Sequence, residues 1–340
     1  MSRSAILLAG GLGSRLHPLT QDLPKPMVPI LGKPWLEWLL ERLHREGWTD
    51  VTLSLHYGKD QIVEYFAAWQ PELRFVVEPE LLGTAGALRY ALPDEGDRFL
   101  VLNADIVHSF PVQKLWAFHL EKGSQATIGL VEVEDPSAYG SVQIDAEGRV
   151  RAFREKPRAG EAVGRWVNAG IYIFERSFLE SIPRGEKLSL ERDIFPRRLA
   201  EGVKIYGLPL KGYWQDIGTR DRYLKLHQDI LKGHCPLEIP ARLEAPRLWV
   251  GEGVRIEKGA RIFPPVVLGE GTWVEEGAQV GPWTVTGRGV RIRKGASVVE
   301  SVLWDRVEVA RGASIRRSVV GIGAQVEGPI QDLLVAAGSR

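Results

Sequence analysis

From Val250 onward one position in every six is aliphatic, a spacing that no amphipathic helix and no simple strand can bury. Val250, Ile256, Ile262, Leu268, Val274, Val280, Thr286, Ile292 and Val298 follow at six-residue intervals, and only Thr286 is not aliphatic. A helical stripe would recur every three or four residues and a half-buried strand every two. Three residues after each of these positions stand Gly253, Gly259, Pro265, Gly271, Gly277, Trp283, Gly289, Gly295 and Ser301. The three exceptions to glycine are 18 residues apart, so three hexads make one larger repeat. This pattern predicts a parallel β-helix of triangular section over residues 249–340, with aliphatic side chains inside and glycines at tight corners. The frame then slips by one residue to Leu303, Val309 and Ile315, and again to Val320 and Val326. We read the slipped part as an irregular last coil or cap.

Residues 1–232 have a different period. Apolar runs at Ala5–Leu8, Val51–Leu55, Leu73–Val77 and Phe99–Leu102 alternate with helical spacing over Pro34–Leu43, Gln61–Trp69 and Ala85–Leu92. Strand and helix in alternation imply a parallel sheet covered by helices, with ligands beyond the carboxyl ends of the strands. After Gly123 strands dominate, at Thr127–Val133, Tyr139–Ile144, Val150–Phe153 and Val167–Phe174, with helices near Leu190–Ala200 and Arg220–Leu231. This reads as a second part of the same domain. Pro236, Pro240 and Pro246 make 233–248 a linker.

Bulk properties exclude several partners. Forty-four basic against 43 acidic side chains leave a net charge of +1, which does not suit a nucleic acid as the main ligand. No apolar run is long enough for a bilayer span, and the short Ala5–Ala9 stretch runs into glycines rather than a cleavage site. The single cysteine, Cys235, excludes an intrachain disulfide and fits a reducing cytoplasm. Any phosphate chemistry must therefore be local.

Such a place follows the first strand, in Leu8-Ala9-Gly10-Gly11-Leu12-Gly13-Ser14-Arg15. Glycines at a strand end turn the backbone sharply and can present N–H groups to an anion, with Arg15 adding charge; an ordinary glycine turn is the alternative. No Gly-Lys-Ser/Thr follows, and Leu16 replaces the third glycine of a dinucleotide fingerprint. Pro24 and Pro26 bracket Lys25 and predict a stiff extended segment that places its ammonium; a solvated loop lysine is the alternative.

The run LAGGLGSRLHPLTQDLPKPMVPI resembles the signature of the sugar-1-phosphate nucleotidyltransferases. The likeness continues through Leu82–Leu88, Leu102–Ile106, Tyr139-Gly140, Glu155-Lys156-Pro157, Val167–Tyr172 and Trp214–Thr219, over nearly all of residues 1–232. It implies a Rossmann-like mixed-sheet α/β domain followed by a left-handed β-helix. The reaction it implies is attack of a sugar 1-phosphate oxygen on the α-phosphorus of a nucleoside triphosphate, with release of pyrophosphate. By resemblance Leu8, Ala9, Gly10, Gly11, Gly13, Arg15, Lys25, Glu78, Gly83 and Thr84 bind nucleotide. Arg15, Lys25 and Asp105 are catalytic, Asp105 and Asp216 bind Mg²⁺, and Gly140, Glu155, Lys156 and Asn168 bind the sugar phosphate. Ala104 departs from the glycine usual in the metal motif and places a methyl group near the expected ligand.

The Gly83-Thr84-Ala85-Gly86 loop after Glu78-Pro79 looks most like mannose-1-phosphate guanylyltransferases, with Glu78 as an acceptor for the donors of guanine. GTP with mannose 1-phosphate is the expected pair. A glucose-1-phosphate thymidylyl- or uridylyltransferase, a heptose-1-phosphate guanylyltransferase and a non-catalytic sugar-nucleotide-binding subunit are the alternatives. All seven histidines precede Pro236, so the β-helix lacks the base of an acyltransferase. We expect it to be a scaffold for homo-oligomerisation or regulation, with Trp273, Trp283 and Trp304 either at a docking face or packed against the catalytic domain.

Overall fold

The structure, a computed structural model, describes residues 3–69, 71–133, 135–158 and 161–338. Nine strands build one sheet: β1 (Ser4–Leu8), β2 (Asp50–Leu55), β3 (Leu73–Val77), β4 (Arg98–Asn103), β5 (Ala126–Glu132), β6 (Gly140–Ile144), β7 (Val150–Glu155), β8 (Trp166–Glu175) and β9 (Ile205–Pro209). The main path runs β7-β6-β8-β4-β1-β2-β3, with β9 beside β5 and β5 beside β8. The first four strands are mutually parallel, as their apolar runs and intervening helices require. The pairings of β8 with β4, β5 and β6 are antiparallel, so the strand-rich stretch completes the same, mixed sheet.

Helices α1 (Trp35–Arg45), α2 (Lys59–Tyr65), α3 (Gly83–Tyr90), α4 (Val112–Lys122), α5 (Arg176–Glu180) and α6 (Phe195–Ala200) accompany the sheet. Sequence periodicity did not mark α4, whose apolar face is short and interrupted by Gln113, Lys114 and His119. One core joins Ile6, Val101, Ile128 and Tyr172 from the strands to Leu88, Phe178 and Phe195 from the helices. In β8 the register shifts between Asn168 and Tyr172, where Gly170 takes φ +72°. A side chain on Gly170 would meet Asn103 at 2.8 Å, so glycine is needed for the bend and for the contact.

The chain divides into two compact units. One holds Met1–Gly11 with Leu39–Trp214; the other holds Leu12–Trp38 with Gln215–Arg340. The second contains α7 (Arg220–Leu231) and a parallel β-helix of three sheets, each built from strands of successive coils. Val250 pairs in line with Leu268, Ile256 with Val274 and Ile262 with Val280, so each six-residue position forms a rung. The first sheet begins earlier, with Arg242–Ala245 antiparallel to Leu248–Val250, inside the proline-bearing stretch.

The slipped frame is not a cap. Thr286 pairs with Leu303, Ile292 with Val309 and Val298 with Ile315, which makes an ordinary coil one residue shorter, and Leu303 with Val320 begins another. The residue is lost at the corner between Val298 and Leu303, where five residues do the work of the six between Val280 and Thr286. That corner is turned by Trp283, Glu300, Arg317 and Asp332, all at positive φ, whereas glycine turns most of the others. A repeat tolerates this because interior side chains stay aligned as long as the strands do.

The first β-helix sheet also has an aliphatic outer face. Val267, Val285, Val302 and Val319 alternate with the interior rungs and are buried as well. Trp304 joins them, its ring edge-on to Tyr223 of α7, and Leu19 lies against Gly321. The segment Leu12–Trp38 and α7 are thus folded together with the β-helix. Among the described residues no helix is long and apolar enough to cross a membrane.

Candidate active site

Four parallel strands of the first unit end side by side, at Leu8, Leu55, Val77 and Asn103. Just beyond them lie Ala9-Gly10-Gly11, His56, Glu78 and Ala104-Asp105, where an open parallel sheet presents its binding crevice. The Ala9 N–H is held by Ser54 O at 2.9 Å and the Ala104 N–H by Leu8 O at 3.1 Å, which ties the two loops to the strand ends. A side chain on Gly10 would meet Glu78 Oε1 at 3.0 Å and His56 N at 3.1 Å, whereas one on Gly11 would have none of the described residues beyond its chain neighbours within 4 Å. Gly10 is therefore required by close packing, and Gly11 leaves open space for a ligand.

Glu78 is only 5% exposed. Ser54 Oγ donates to its Oε1 at 3.3 Å and the Leu82 N–H to its Oε2 at 3.1 Å. Burial pushes its carboxyl above the usual range, against these hydrogen bonds and the charge of His56. What the geometry provides is a strut between the Gly10 turn and the start of α3, with further lone pairs left for donors of a base. Gly83 and Thr84 face protein too. A side chain on Gly83 would meet Leu188 O at 2.5 Å, and the Thr84 hydroxyl donates to Glu191 Oε2 and accepts from the Leu190 N–H, each at 2.8 Å.

A second cluster of the same unit gathers Gly140, Glu155, Lys156 and Asn168. Gly140 and Glu155 are register partners, and a side chain on Gly140 would meet the Phe153 ring at 2.6 Å and Glu155 Oε2 at 2.9 Å. Lys156, at φ +44°, is exposed, and its ammonium lies 4.0 Å from Glu155. Asn168 donates to Tyr172 Oη at 2.7 Å, Tyr172 donates to Glu191 Oε1 at 3.3 Å, and Asn168 Oδ1 accepts from the Gly170 N–H at 3.0 Å. Burial, then the nearby Glu191 charge, raises the Glu155 carboxyl. Half-buried carboxylates, an amide and an exposed ammonium form a surface suited to hydroxyls and a phosphate. Trp214 walls it, donating to Ala169 O at 2.9 Å and meeting Tyr139 edge-on.

The second unit holds the remaining residues. Gly13 takes φ +63° before a 3-10 turn over Ser14–Leu16, and Thr20 Oγ1 donates to its carbonyl at 2.9 Å. The place of a Gly13 side chain lies 3.0 Å from Lys25 Cβ. Lys25 does not stand in an extended segment as expected. Pro24 is extended, but Lys25–Met27 forms a 3-10 turn, because Pro26 fixes a φ that suits the first turn of a helix. Lys25 is only 8% exposed, its stem packed and its turn closed by Val28 N–H on Lys25 O at 3.2 Å.

Asp216, 5% exposed, accepts from Arg222 Nη1 at 2.7 Å. A side chain on Gly218 would meet both Asp216 Oδ2 at 2.7 Å and Arg15 Nη2 at 2.8 Å, so Arg15 and Asp216 flank one glycine. Arg222, Asn103, Tyr172 and Glu191 were not assigned from the sequence. Asn103 and Asp105 share the alternation of a strand end, which was a readable signal; Glu191 reaches the site only through the fold.

The nucleotidyl transferase family matches residues 4–233. The chain belongs to that family. It is 39% identical to a mannose-1-phosphate guanylyltransferase catalytic subunit beta of Drosophila pseudoobscura pseudoobscura, across 74% of this chain and 67% of that protein. A mannose-1-phosphate guanylyltransferase of Mycobacterium tuberculosis is 35% identical across 78% and 74%. HddC from Yersinia pseudotuberculosis, solved in complex with GMP-PN, is 34% identical with a TM-score of 0.57, covering 67% of this chain and 99% of its own.

Nucleotidyl transferases of this family use a divalent metal. The residues present fit one. Among the described residues Asn103 Oδ1 is buried without a hydrogen-bond partner two residues before Asp105, and the donors are oxygens, the hard type such ions prefer. The Ala104 methyl, 1% exposed, packs into the protein.

Proposed function

We propose that this nucleotidyl transferase joins GTP to mannose 1-phosphate, forming GDP-mannose and pyrophosphate. The observation that carries the reading is the open turn at Gly11, at the ends of four parallel strands and beside Asp105, in a chain whose similarity to mannose-1-phosphate guanylyltransferases covers about three quarters of its length. The catalytic part is residues 1–232 and the β-helix 249–340; of the linker 233–248, the end from Arg242 already pairs into the first β-helix sheet.

Leu8, Ala9, Gly10, Gly11 and Gly13 bring backbone against the triphosphate, and Arg15 and Lys25 neutralise charge that builds on the α-phosphoryl group and on pyrophosphate. Glu78, Gly83 and Thr84 shape the base side of the nucleotide site. Lys156 holds the sugar phosphate, while Glu155 and Asn168 take hydroxyls, with Gly140 allowing close approach. Orientation is the main contribution, since the attacking oxygen already carries charge. Asp105 and Asp216 would hold Mg²⁺, which supplies charge neutralisation on phosphate oxygens. A homo-oligomeric cytoplasmic enzyme is the corresponding biological form.

Pyrophosphate release measured over a grid of nucleoside triphosphates and sugar 1-phosphates tests the reading. GTP with mannose 1-phosphate is expected to give the highest kcat/KM. Faster turnover with dTTP or UTP and glucose 1-phosphate, or with a heptose 1-phosphate, would replace the substrate pair. Binding of GDP-mannose without any turnover would make the chain a regulatory subunit.

A further inference from the structure

The β-helix reaches the segment that carries Gly13, Arg15 and Lys25 through two buried contacts. In the first, Trp304 of the β-helix donates its indole N–H to Tyr223 Oη at 3.0 Å, and Tyr223 donates its own hydroxyl to Pro29 O. Next on the same helix, His227 Nε2 faces the Leu31 N–H at 3.5 Å. Pro29–Ile30 pairs with Lys33–Pro34 in a small hairpin, directly after the Lys25–Met27 turn. In the second contact, a side chain on Gly321 would lie 2.8 Å from Leu19 Cδ2. Leu19 adjoins Thr20, whose hydroxyl holds Gly13 O, and Gly13 in turn borders Lys25. Trp304, Tyr223, His227 and Leu19 are all buried.

Packing alone would be served by apolar side chains, which avoid the cost of burying a phenol and an indole donor. The directed bonds instead set where the Pro29 carbonyl stands, and so where the turn before it points. We infer that the β-helix holds the triphosphate-binding segment in its working geometry, with Trp304, Tyr223 and Gly321 as positioning residues. This rests on the functional reading above, in which Gly13, Arg15 and Lys25 bind the triphosphate.

Trp304→Phe and Tyr223→Phe remove the relay with little change in apolar volume, and Trp273→Phe, on a β-helix tryptophan hydrogen-bonded to Glu257, is the control. Hydrogen exchange should quicken about tenfold at amides of residues 13–31 in the first two variants, from loss of one buried hydrogen bond, and stay unchanged in β4 and in the control. In steady-state kinetics the KM for GTP should rise or kcat fall by about tenfold, with the KM for mannose 1-phosphate unchanged. Gly321→Ala should act in the same direction, and Leu19→Val, which shortens the opposing side chain, should restore it; a merely destabilising pair would add instead. Unchanged exchange over residues 13–31 would overturn the inference, as would quickened exchange with unaltered kinetics for GTP. If the wild-type protein turns over no substrate pair, the functional reading fails, and the exchange comparison alone decides whether the β-helix holds the segment.

Discussion

The α/β sheet and the β-helix are both built largely from parallel strands, yet they use strand ends in opposite ways. In the sheet, β1 to β4 are joined by helices, so their carboxyl ends are free to carry Gly11, Glu78 and Asp105 in loops. In the β-helix each strand end is a corner of about three residues that feeds the next strand, and its backbone is spent on turning. The same glycine therefore means different things. Gly295 has φ +70°, and a side chain there would meet none of the described residues beyond its chain neighbours within 4 Å, a purely conformational need, whereas Gly83 has φ +73° and Leu188 O pressed against the place of its side chain. Parallel strands alone do not make a site; the length of the connections decides whether they can.

The sharpest test of this division is Asp105→Asn. It should lower kcat about a thousandfold while thermal unfolding stays within a few degrees, because the residue stands at a free strand end rather than in a corner or core. Retained pyrophosphate release would end the assignment of function to the sheet's carboxyl edge.

Truncating one rung probes the other side of the comparison. Ile292→Ala, fully buried in the β-helix, should cost about 4 kcal/mol in urea unfolding. Because each coil touches only its neighbours, the transition should also broaden, whereas Ile6→Ala in the sheet should shift its midpoint without changing the slope. Equal slopes would show that the β-helix unfolds with the rest as one body.

Acid should separate wild type from His227→Gln. Burial lowers the His227 pKa from 6.5 to about 4, so the folded protein binds this proton more weakly than the unfolded chain. Stability from this group is then whole above about pH 6.5 and is lost as pH falls towards 4, by about 3 kcal/mol in all. The buried His108 and His119 of the first unit shift in the same direction and titrate in both proteins. The difference in unfolding free energy between the two proteins, followed from pH 7 to 4, isolates His227; a constant difference would refute its buried, neutral state.

The smallest effect separates the two kinds of glycine. Gly295→Ala should cost about 1 kcal/mol, the strain of a left-handed residue, and Gly83→Ala about 2 kcal/mol or more, since Leu188 O must also move. Similar melting temperatures for the two variants would show that the Leu188 segment yields freely.

Much of this was legible in the chain itself. The six-residue period identifies the β-helix because interior rungs align only at that spacing, and the alternation of apolar runs identifies the parallel part of the sheet. The ordered motifs around Gly10, Asp105, Glu155 and Asp216 point to nucleotidyl transfer through their resemblance to that family, and not through any spacing or charge pattern taken alone. Tertiary structure alone decided that Gly83 and Thr84 face the Leu188–Glu191 segment and that Leu12–Trp38 is folded with the β-helix. Those facts depend on residues tens to hundreds of positions apart meeting in a low-dielectric interior. Local pattern records which residues are buried; it does not record which distant partner buries them.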